Sequence, residues 1–326
     1  MKFSDWLTRC VLILLCCGTG HAMAAAGCAA SNGTASLGTS VSSFTVYNTQ
    51  LSSTATSGFK CTGSLVSLLG TNVVTVTLQS STNQTGTQAR MRSGTDYVPY
   101  VICKDSGCSS VYNMGNTITW SSTTLLGLLG LFNSSDGSLP LYIRSLTGAR
   151  VAANNYTDTL TLNWTWQLCD LGVAGLCLVV SGSGTSTVTV TLGVANDCVL
   201  TTPDVQFGAA PLVSGFADIN QSVQVVCTKG ASYTVGMSNG NNYSGTVRQM
   251  KSTAGGLLQY DIYKPDGTRW GPTGTDRRSS AAADINAGIY DSVTTQSYNY
   301  RASIIKTQTT PATGSYTDLV TLDIGF

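Results

Sequence analysis

The sequence predicts an all-β protein built from two β-sandwich domains. Short runs in which apolar and polar residues alternate recur along the chain, as at residues 73–78 and 298–304, and Gly, Asn and Ser separate them. Thr, Ser, Gly and Val dominate the composition, and no segment predicts a helix. The motif Tyr-Thr-Asp-x-x-Thr-Leu occurs twice, at residues 156–162 and 316–322, which indicates a repeated fold.

The first 26 residues are typical of a secretory signal peptide. Lys2 and Arg9 precede the apolar run 11–17, and the small residues of 22–26 offer cleavage sites. No later segment reaches the roughly 18 apolar residues that a transmembrane helix needs. We therefore expect an exported mature chain with one domain at residues 27–192 and a second at 193–326.

The charge balance disfavours one class of partner. Without Lys2, Asp5 and Arg9, the chain has 15 basic residues and 15 acidic residues, all of them aspartate. Nucleic acids and anionic membrane surfaces are bound through basic patches, which a balanced chain with only 10% charged residues does not favour. We expect no nucleic-acid partner.

Catalysis is also disfavoured. The single histidine, His21, lies in the predicted signal peptide, so the mature chain lacks the histidine of Ser-His-Asp and Cys-His nucleophilic sites and of the usual zinc sites. Paired aspartates could serve a glycosidase, but Asp105, Asp136 and Asp266 stand in turn-like sequences beside Gly or Ser. We expect neither an enzyme nor a cofactor or metal site.

The cysteine count favours disulfides. Three of the eleven cysteines lie in the predicted signal peptide, and an even number in an exported chain is typical of disulfide bonding. Sequence alone allows many pairings. Sequence order favours Cys28–Cys61, Cys103–Cys108, Cys169–Cys177 and Cys198–Cys227.

The two halves align on their cysteines and on the repeated motif. Lys104 precedes Tyr156 by the same 52 residues that separate Lys264 from Tyr316, and each lysine opens a turn-like sequence. After the first motif copy the chain forms a further hairpin, whereas the second copy is followed only by residues up to Phe326. We therefore expect the second half to be one strand short and to need a strand from another protein.

Three apolar runs in the first half differ from their counterparts. Each is interrupted by glycine, lacks the alternation of a half-buried strand, and falls where the second half has a less apolar connection. The ordinary interpretation of such runs is hydrophobic core. The alignment instead favours exposed loops that bind an apolar surface. Their residues are Leu65, Val66, Leu68 and Leu69; Leu125, Leu126, Leu128, Leu129, Leu131 and Phe132; and Leu171, Val173, Ala174 and Leu176.

The second half resembles the spore coat protein U-like domain of archaic chaperone–usher pili. The residues that carry this resemblance are Cys198, 204–208, Cys227, Thr228, 260–267, Trp270, Gly271 and 314–326. The resemblance implies an incomplete immunoglobulin-like sandwich, whose missing strand is donated first by a periplasmic chaperone and then by an adjacent pilin subunit, with assembly at an outer-membrane usher. The expected border of the gap consists of Leu319, Val320, Leu322, Ile324 and Phe326.

Ordinary members carry a short donor segment before one such domain, whereas this chain has a whole domain there. In this respect it resembles the family's two-domain tip adhesin, whose distal domain presents hydrophobic finger-like loops. The implied function is attachment at the pilus tip to apolar abiotic or host surfaces, supporting biofilm formation.

Other functions remain open at the level of the sequence. A non-adhesive pilus or coat subunit would bury the apolar loops against a partner. A lectin-like tip would need a pocket of aromatic and hydrogen-bonding groups, for which Trp120, Tyr112 and Asn113 are the candidates. Loops of this length could also enter a membrane interface but could not span it.

Overall fold

The computed structural model describes residues 27–56, 58–62, 72–122, 139–173 and 176–326. Nearly all of their regular structure is β-strand, which confirms the predicted fold class. The prediction of no helix was wrong at one place, because Ser43–Asn48 forms the short helix α1. The Ser42 hydroxyl caps it by accepting a hydrogen bond from the Phe44 N–H at 3.2 Å. No helix within these ranges is long and apolar enough to cross a membrane.

Thirteen strands of the first half fall within the described residues. They are β1 Gly27–Ala30, β2 Gly33–Ser36, β3 Val41–Ser42, β4 Ser52–Ala55, β5 Phe59–Thr62, β6 Asn72–Ser81, β7 Ala89–Ser93, β8 Asp96–Cys103, β9 Val111–Tyr112, β10 Thr117–Ser122, β11 Leu141–Ser145, β12 Asn154–Val173 and β13 Leu176–Ala195.

Eleven of these strands form one sheet around a single core. The main path runs β10-β6-β12-β7-β8-β11-β4, and β13 pairs antiparallel with β12 and parallel with β2 and β3. Strands β1 and β5 pair separately. The inward residues of the alternating strands are buried, and the Trp164 ring stacks on Phe59 at 5.2 Å and on Trp120 at 6.0 Å.

The second half contains nine strands. They are β14 Cys198–Thr201, β15 Ile219–Cys227, β16 Thr234–Met237, β17 Arg248–Ser252, β18 Leu257–Tyr263, β19 Arg278–Ser279, β20 Gln296–Ile304, β21 Tyr316–Thr317 and β22 Leu322–Gly325.

These nine strands form two sheets. One has the order β14-β15-β20-β18-β17-β21, and the other has the order β19-β16-β22. A second apolar core, separate from the first, includes Val223, Trp270 and Tyr298. Each half of the chain is therefore a sandwich-like unit with its own core.

Two disulfides have the pairings expected from sequence order. Cys103–Cys108 closes the turn after β8, and Cys198–Cys227 joins β14 to β15. Cys28 is also disulfide-bonded, and Cys61 stands opposite it in the register of β1 and β5. For the expected pair Cys169–Cys177, the side chains lie outside the described residues.

Polar contacts connect the two halves. Lys229 forms an ion pair with Asp96, with 2.5 Å between the Lys229 Nζ and Asp96 Oδ1 atoms. The buried hydroxyls of Ser43 and Thr228 are 2.7 Å apart, and the Asp197 carboxylate accepts a hydrogen bond from the Ser42 hydroxyl at 2.5 Å. Because only residues 196 and 197 separate β13 from β14, the chain crosses between the halves directly beside these contacts.

Candidate functional site

In the first half, β13 fills a space between two parts of the chain. Val190 stands opposite Asp158 of β12 on one side and opposite Ala35 of β2 on the other. Every second side chain of β13 therefore points into the core. These buried residues are Val188, Val190, Leu192 and Val194.

No strand of the described second half occupies the corresponding space. Residues 203–212, which follow Cys198 as β2 and β3 follow Cys28, make no strand pairing. Residues 318–321 belong to no strand either, and β22 is the edge strand of its sheet, paired with β16. We call the space between residues 203–212 and 316–325 the open edge.

Burial differs between matching residues of the two halves. Tyr156, Leu160, Leu162 and Trp164 of β12 are buried, whereas the residues 160 positions later, in and just after the second motif copy, are only half-buried against their core. Counted from the cysteines, Ala35 and Leu37 are likewise buried and their counterparts are half-buried. The half-buried counterparts are Tyr316, Val320, Leu322, Ile324, Val205 and Phe207.

A cleft of about 420 Å³ lies at the open edge, between residues 205–216 and 310–317. Its lining includes Phe207, Leu212, Phe216 and Leu258. The Leu212 side chain is 57% exposed, so an apolar residue faces solvent where a sandwich would ordinarily cover it. The cleft is thus suited to apolar side chains from an added strand.

The two copies of the Tyr-Thr-Asp motif make the same hydrogen bonds. The Tyr156 hydroxyl donates to the Ala152 carbonyl at 2.8 Å, and the Tyr316 hydroxyl donates to the Ala312 carbonyl at 2.6 Å. A tyrosine that bonds back to the backbone a few residues upstream is a tyrosine corner, a feature of immunoglobulin-like sandwiches. The two motif copies are therefore similar in structure as well as in sequence.

The aspartates of the motif are also held alike. Asp318 accepts hydrogen bonds from the Asn241 N–H at 2.8 Å and from the Tyr260 hydroxyl at 2.7 Å. Burial, together with the hydrogen bond to Asp318, raises the pKa of Tyr260, so its hydroxyl remains a donor at neutral pH. Asp318 thus places a hydrogen-bonded carboxylate within the segment 316–325 that borders the open edge.

Four of the five residues predicted to border the gap lie within the segment 316–325, and the fifth, Phe326, follows it directly. Leu322 and Ile324 stand in β22, opposite Met237 and Val235 of β16. All five residues are half-buried or exposed, and the exposed fractions of Leu319 and Phe326 are 64% and 60%. On the opposite side of the open edge, residues 203–212 were not predicted from the sequence to border the gap. Residues 204–208 of this segment contributed only to the family resemblance.

The first two predicted apolar loops, with Leu65, Val66, Leu68 and Leu69 in one and Leu125, Leu126, Leu128, Leu129, Leu131 and Phe132 in the other, lie outside the described residues. The third was predicted as a loop, but its backbone is strand on both sides: Val173 of β12 pairs with Leu176 of β13. Gly172 does not interrupt the ladder, because it pairs with Cys177 past a bulge after Cys169. Ala174 and the side chains of this segment lie outside the described residues.

The residues considered for a sugar pocket do not form one. Trp120 is only 3% exposed and stacks on Trp164 in the core. Tyr112 also packs against that core. Because Trp120 presents no ring face to solvent, it cannot stack on a sugar, and the nomination of this cluster was wrong.

The comparisons with known proteins agree with this architecture. A crystal structure of the CsuC–CsuE chaperone–tip adhesion subunit pre-assembly complex, from archaic chaperone–usher Csu pili of Acinetobacter baumannii, contains a similar chain. The sequences are 26% identical, the alignment covers 92% of this chain and 100% of that one, and the TM-score is 0.68.

Two further comparisons find no close relative. The C-terminal domain of the Streptococcus pyogenes antigen I/II-family protein AspA aligns with 9% identity over 93% of this chain and 96% of that one, with a TM-score of only 0.18. A search of curated proteins returns no match.

The Spore Coat Protein U domain model matches the chain twice, at residues 17–163 and 184–323. The first match ends within β12 and the second within β22, at the same place after the two motif copies. The part of β13 that pairs with β2 and β3 lies at the start of the second match, ahead of Cys198. With matches over most of its length, the chain belongs to the Spore Coat Protein U domain family.

Proposed function

We propose that this protein is the tip adhesin of an archaic chaperone–usher pilus. The coarser part of this proposal, a pilus subunit that is held by a periplasmic chaperone before assembly, is supported by the family and by similarity to the subunit of the CsuC–CsuE complex. The observation that carries it is the open edge, which has the lining of a sandwich interior and no covering strand among the described residues.

The first half shows what such an edge accepts. There β13 supplies one extended strand whose alternate side chains are apolar and buried. A strand donated by the chaperone, and later by the adjacent pilin subunit, would pair with the backbone of residues 316–325 and fill the cleft. In the proposed domain division, residues 27–192 form the adhesin domain and residues 193–326 form the pilin domain that attaches it to the fibre.

The adhesive role is proposed from the three apolar segments of the first half. Burial of one leucine-sized side chain against an apolar surface contributes about 1.5–3 kcal/mol, so several segments acting together suffice for attachment without a shaped receptor pocket. Many pili on one cell strengthen the attachment further by avidity. The proposed targets are apolar abiotic or host surfaces, and the proposed outcome is biofilm formation by a cell with these pili on its surface.

Two experiments separate the two parts of the proposal. Residues 193–326 produced in the periplasm should be soluble only with the pilus chaperone, as a one-to-one complex. A stable monomer of this fragment without the chaperone would contradict the open edge. For adhesion, the leucines of the three segments are replaced by serine in the assembled pilus, and attachment to polystyrene is measured.

The adhesion experiment has a matched control. Val111 is also apolar and 52% exposed but lies outside the three segments, so Val111→Ser should not reduce attachment. If the segment variants assemble and attach as well as the parent, the protein is a non-adhesive pilus subunit. If they no longer assemble, the segments are core and the assignment of surface loops is wrong.

A further inference from the structure

We infer that Asp318 is a specificity-determining residue of the open edge, which rejects donated strands that carry an acidic residue opposite it. The inference rests on the proposed function, because it concerns the strand that a partner donates. The inference goes beyond the proposed function because it states one chemical property that the donated strand must have.

Strand β13 serves as an internal template for that partner. It already completes the first half, in register with the strand that carries the first motif copy. Asp158 and Asp318 occupy the same position of the motif, so the donated residue opposite Asp318 corresponds to Val190. In β13 the neighbouring residues Thr189 and Thr191 point to the other face of the sheet and are exposed or half-buried.

Asp158 shows how the first half accommodates a carboxylate under the covering strand. It is 3% exposed and accepts hydrogen bonds from the Tyr100 hydroxyl at 2.6 Å, from the Asn83 N–H at 3.1 Å, and from the Ser81 hydroxyl. With these donors the carboxylate stays buried beside Val190, which itself is fully buried. A neutral apolar neighbour leaves these hydrogen bonds undisturbed.

Asp318 is held in the same way but is not yet covered. Tyr260 binds its Oδ2 atom and the Asn241 N–H binds its Oδ1 atom, as Tyr100 and Asn83 bind the matching atoms of Asp158. Gly240 lies so close that an added Cβ there would stand 2.1 Å from Asp318 Oδ2. The carboxylate is therefore fixed in position before any partner arrives.

A fixed carboxylate discriminates between partner strands by charge. Directly opposed side chains of antiparallel strands have Cβ atoms about 4.5–5.5 Å apart, so a glutamate at the matching position would bring two carboxylates together. The added strand also removes water from the pair, which strengthens their repulsion. A valine at the same position adds apolar contact without a second charge.

The test uses the full chain with a C-terminal extension, a short turn followed by a copy of residues 184–195. The thermal midpoint of the second half is compared for extensions with Val, Gln or Glu at the copied position of Val190. We expect the Val version to melt above the parent chain, and the Glu version to melt at least about 5 °C below the Gln version at pH 7. Asp318→Asn should reduce the Glu–Gln difference.

A control extension carries Glu at the copied position of Thr189, on the outer face, and should keep the stabilisation. If the Val extension fails to stabilise the chain, the open edge itself is wrong and so is the proposed donation. If Val stabilises but Glu and Gln are equal, donation stands and the role of Asp318 is overturned. Because this comparison uses the natural Asp318, it decides the question even where Asp318→Asn does not fold.

Discussion

The hydroxyl of Tyr100 donates a hydrogen bond of 2.6 Å to the buried carboxylate of Asp158. The same relationship recurs 160 residues later between Tyr260 and Asp318, at 2.7 Å. The two aspartates differ in their surroundings, because β13 covers Asp158 whereas Asp318 lies at the open edge. The contribution of this hydrogen bond to the free energy of unfolding should therefore differ between the two halves.

Tyr100→Phe should destabilise the first half by about 1.5–3 kcal/mol, because a buried carboxylate loses a donor and water cannot replace it. Tyr260→Phe should cost less, about 0.5–1.5 kcal/mol, because water reaches Asp318. Urea unfolding of the full chain measures both effects.

The control for this pair is Tyr142→Phe, since the half-buried Tyr142 has no hydrogen-bonded hydroxyl in the described structure. It should change the stability by a few tenths of a kcal/mol. Equal losses for Tyr100→Phe and Tyr260→Phe would contradict the difference in cover between the two aspartates.

The two described disulfides should differ in their contribution to stability. Cys198–Cys227 spans 29 residues and Cys103–Cys108 spans 5, and the longer loop restricts the unfolded chain more. Replacement of both cysteines by alanine should cost about 3.6 kcal/mol for the long loop and about 2.1 kcal/mol for the short one. Denaturant unfolding of the two double variants gives the comparison, and a larger loss from the short loop would contradict it.

Local sequence pattern was sufficient for much of the fold. The turn at Lys104 follows from Asp105 and Gly107, and the turn at Lys264 follows from residues 265–267, which are Pro, Asp and Gly; both turns occur as predicted. Alternation located β6 and β20. The repeat then indicated which strands correspond, since the first motif copy lies on β12 and the second runs from β21 to the start of β22.

Contacts between residues far apart in the sequence could not be predicted from local sequence patterns. The hydrogen bond from Tyr260 to Asp318 joins residues 58 positions apart, and no local pattern distinguishes this aspartate from one in a turn. Val205 and Phe207 belong to the open edge through spatial neighbours near residue 316. Trp120 could have been assigned to the core, because it alternates with Thr119 on a strand whose other inward residue, Ile118, is buried.

Asp261→Asn should strongly destabilise the second half. Arg248 is fully buried, is paired with Asp261, and donates to the carbonyls of Ser238 and Trp270 at 2.6 and 2.8 Å. Removing the carboxylate leaves the guanidinium charge without its buried partner, which costs about 3–5 kcal/mol. Denaturant unfolding should show this loss.

The matched control is Asp218→Asn, which breaks the ion pair of Asp218 with Arg301. Their side chains are 32% and 40% exposed, so the loss should stay below about 1 kcal/mol. Similar losses for Asp261→Asn and Asp218→Asn would show that the buried pair has no special role.

The ion pair between Asp96 and Lys229 should make the contact between the two halves dependent on pH. Burial alone would raise the pKa of Asp96, but hydrogen bonds from Lys229 and from the Ala152 N–H, together with the Lys229 charge, lower it. A carboxyl group with a lowered pKa stabilises the folded state above its ordinary pKa of about 3.9, and this stabilisation is lost as the pH falls through the folded-state value.

A double-mutant cycle of Asp96→Asn and Lys229→Met, measured by urea unfolding, isolates the interaction between these two residues. At pH 7 we expect a coupling of about 0.5–1 kcal/mol, held low because the Lys229 side chain is 41% exposed. The coupling should be unchanged down to about pH 5 and should vanish once Asp96 is protonated, at a pH below its ordinary pKa of about 3.9. Raised salt should weaken it at pH 7, because the exposed ammonium is screened. A coupling of equal size at pH 7 and at a pH low enough to protonate Asp96 would show that the two halves are joined there by packing and neutral hydrogen bonds, with no contribution from the charge of Asp96.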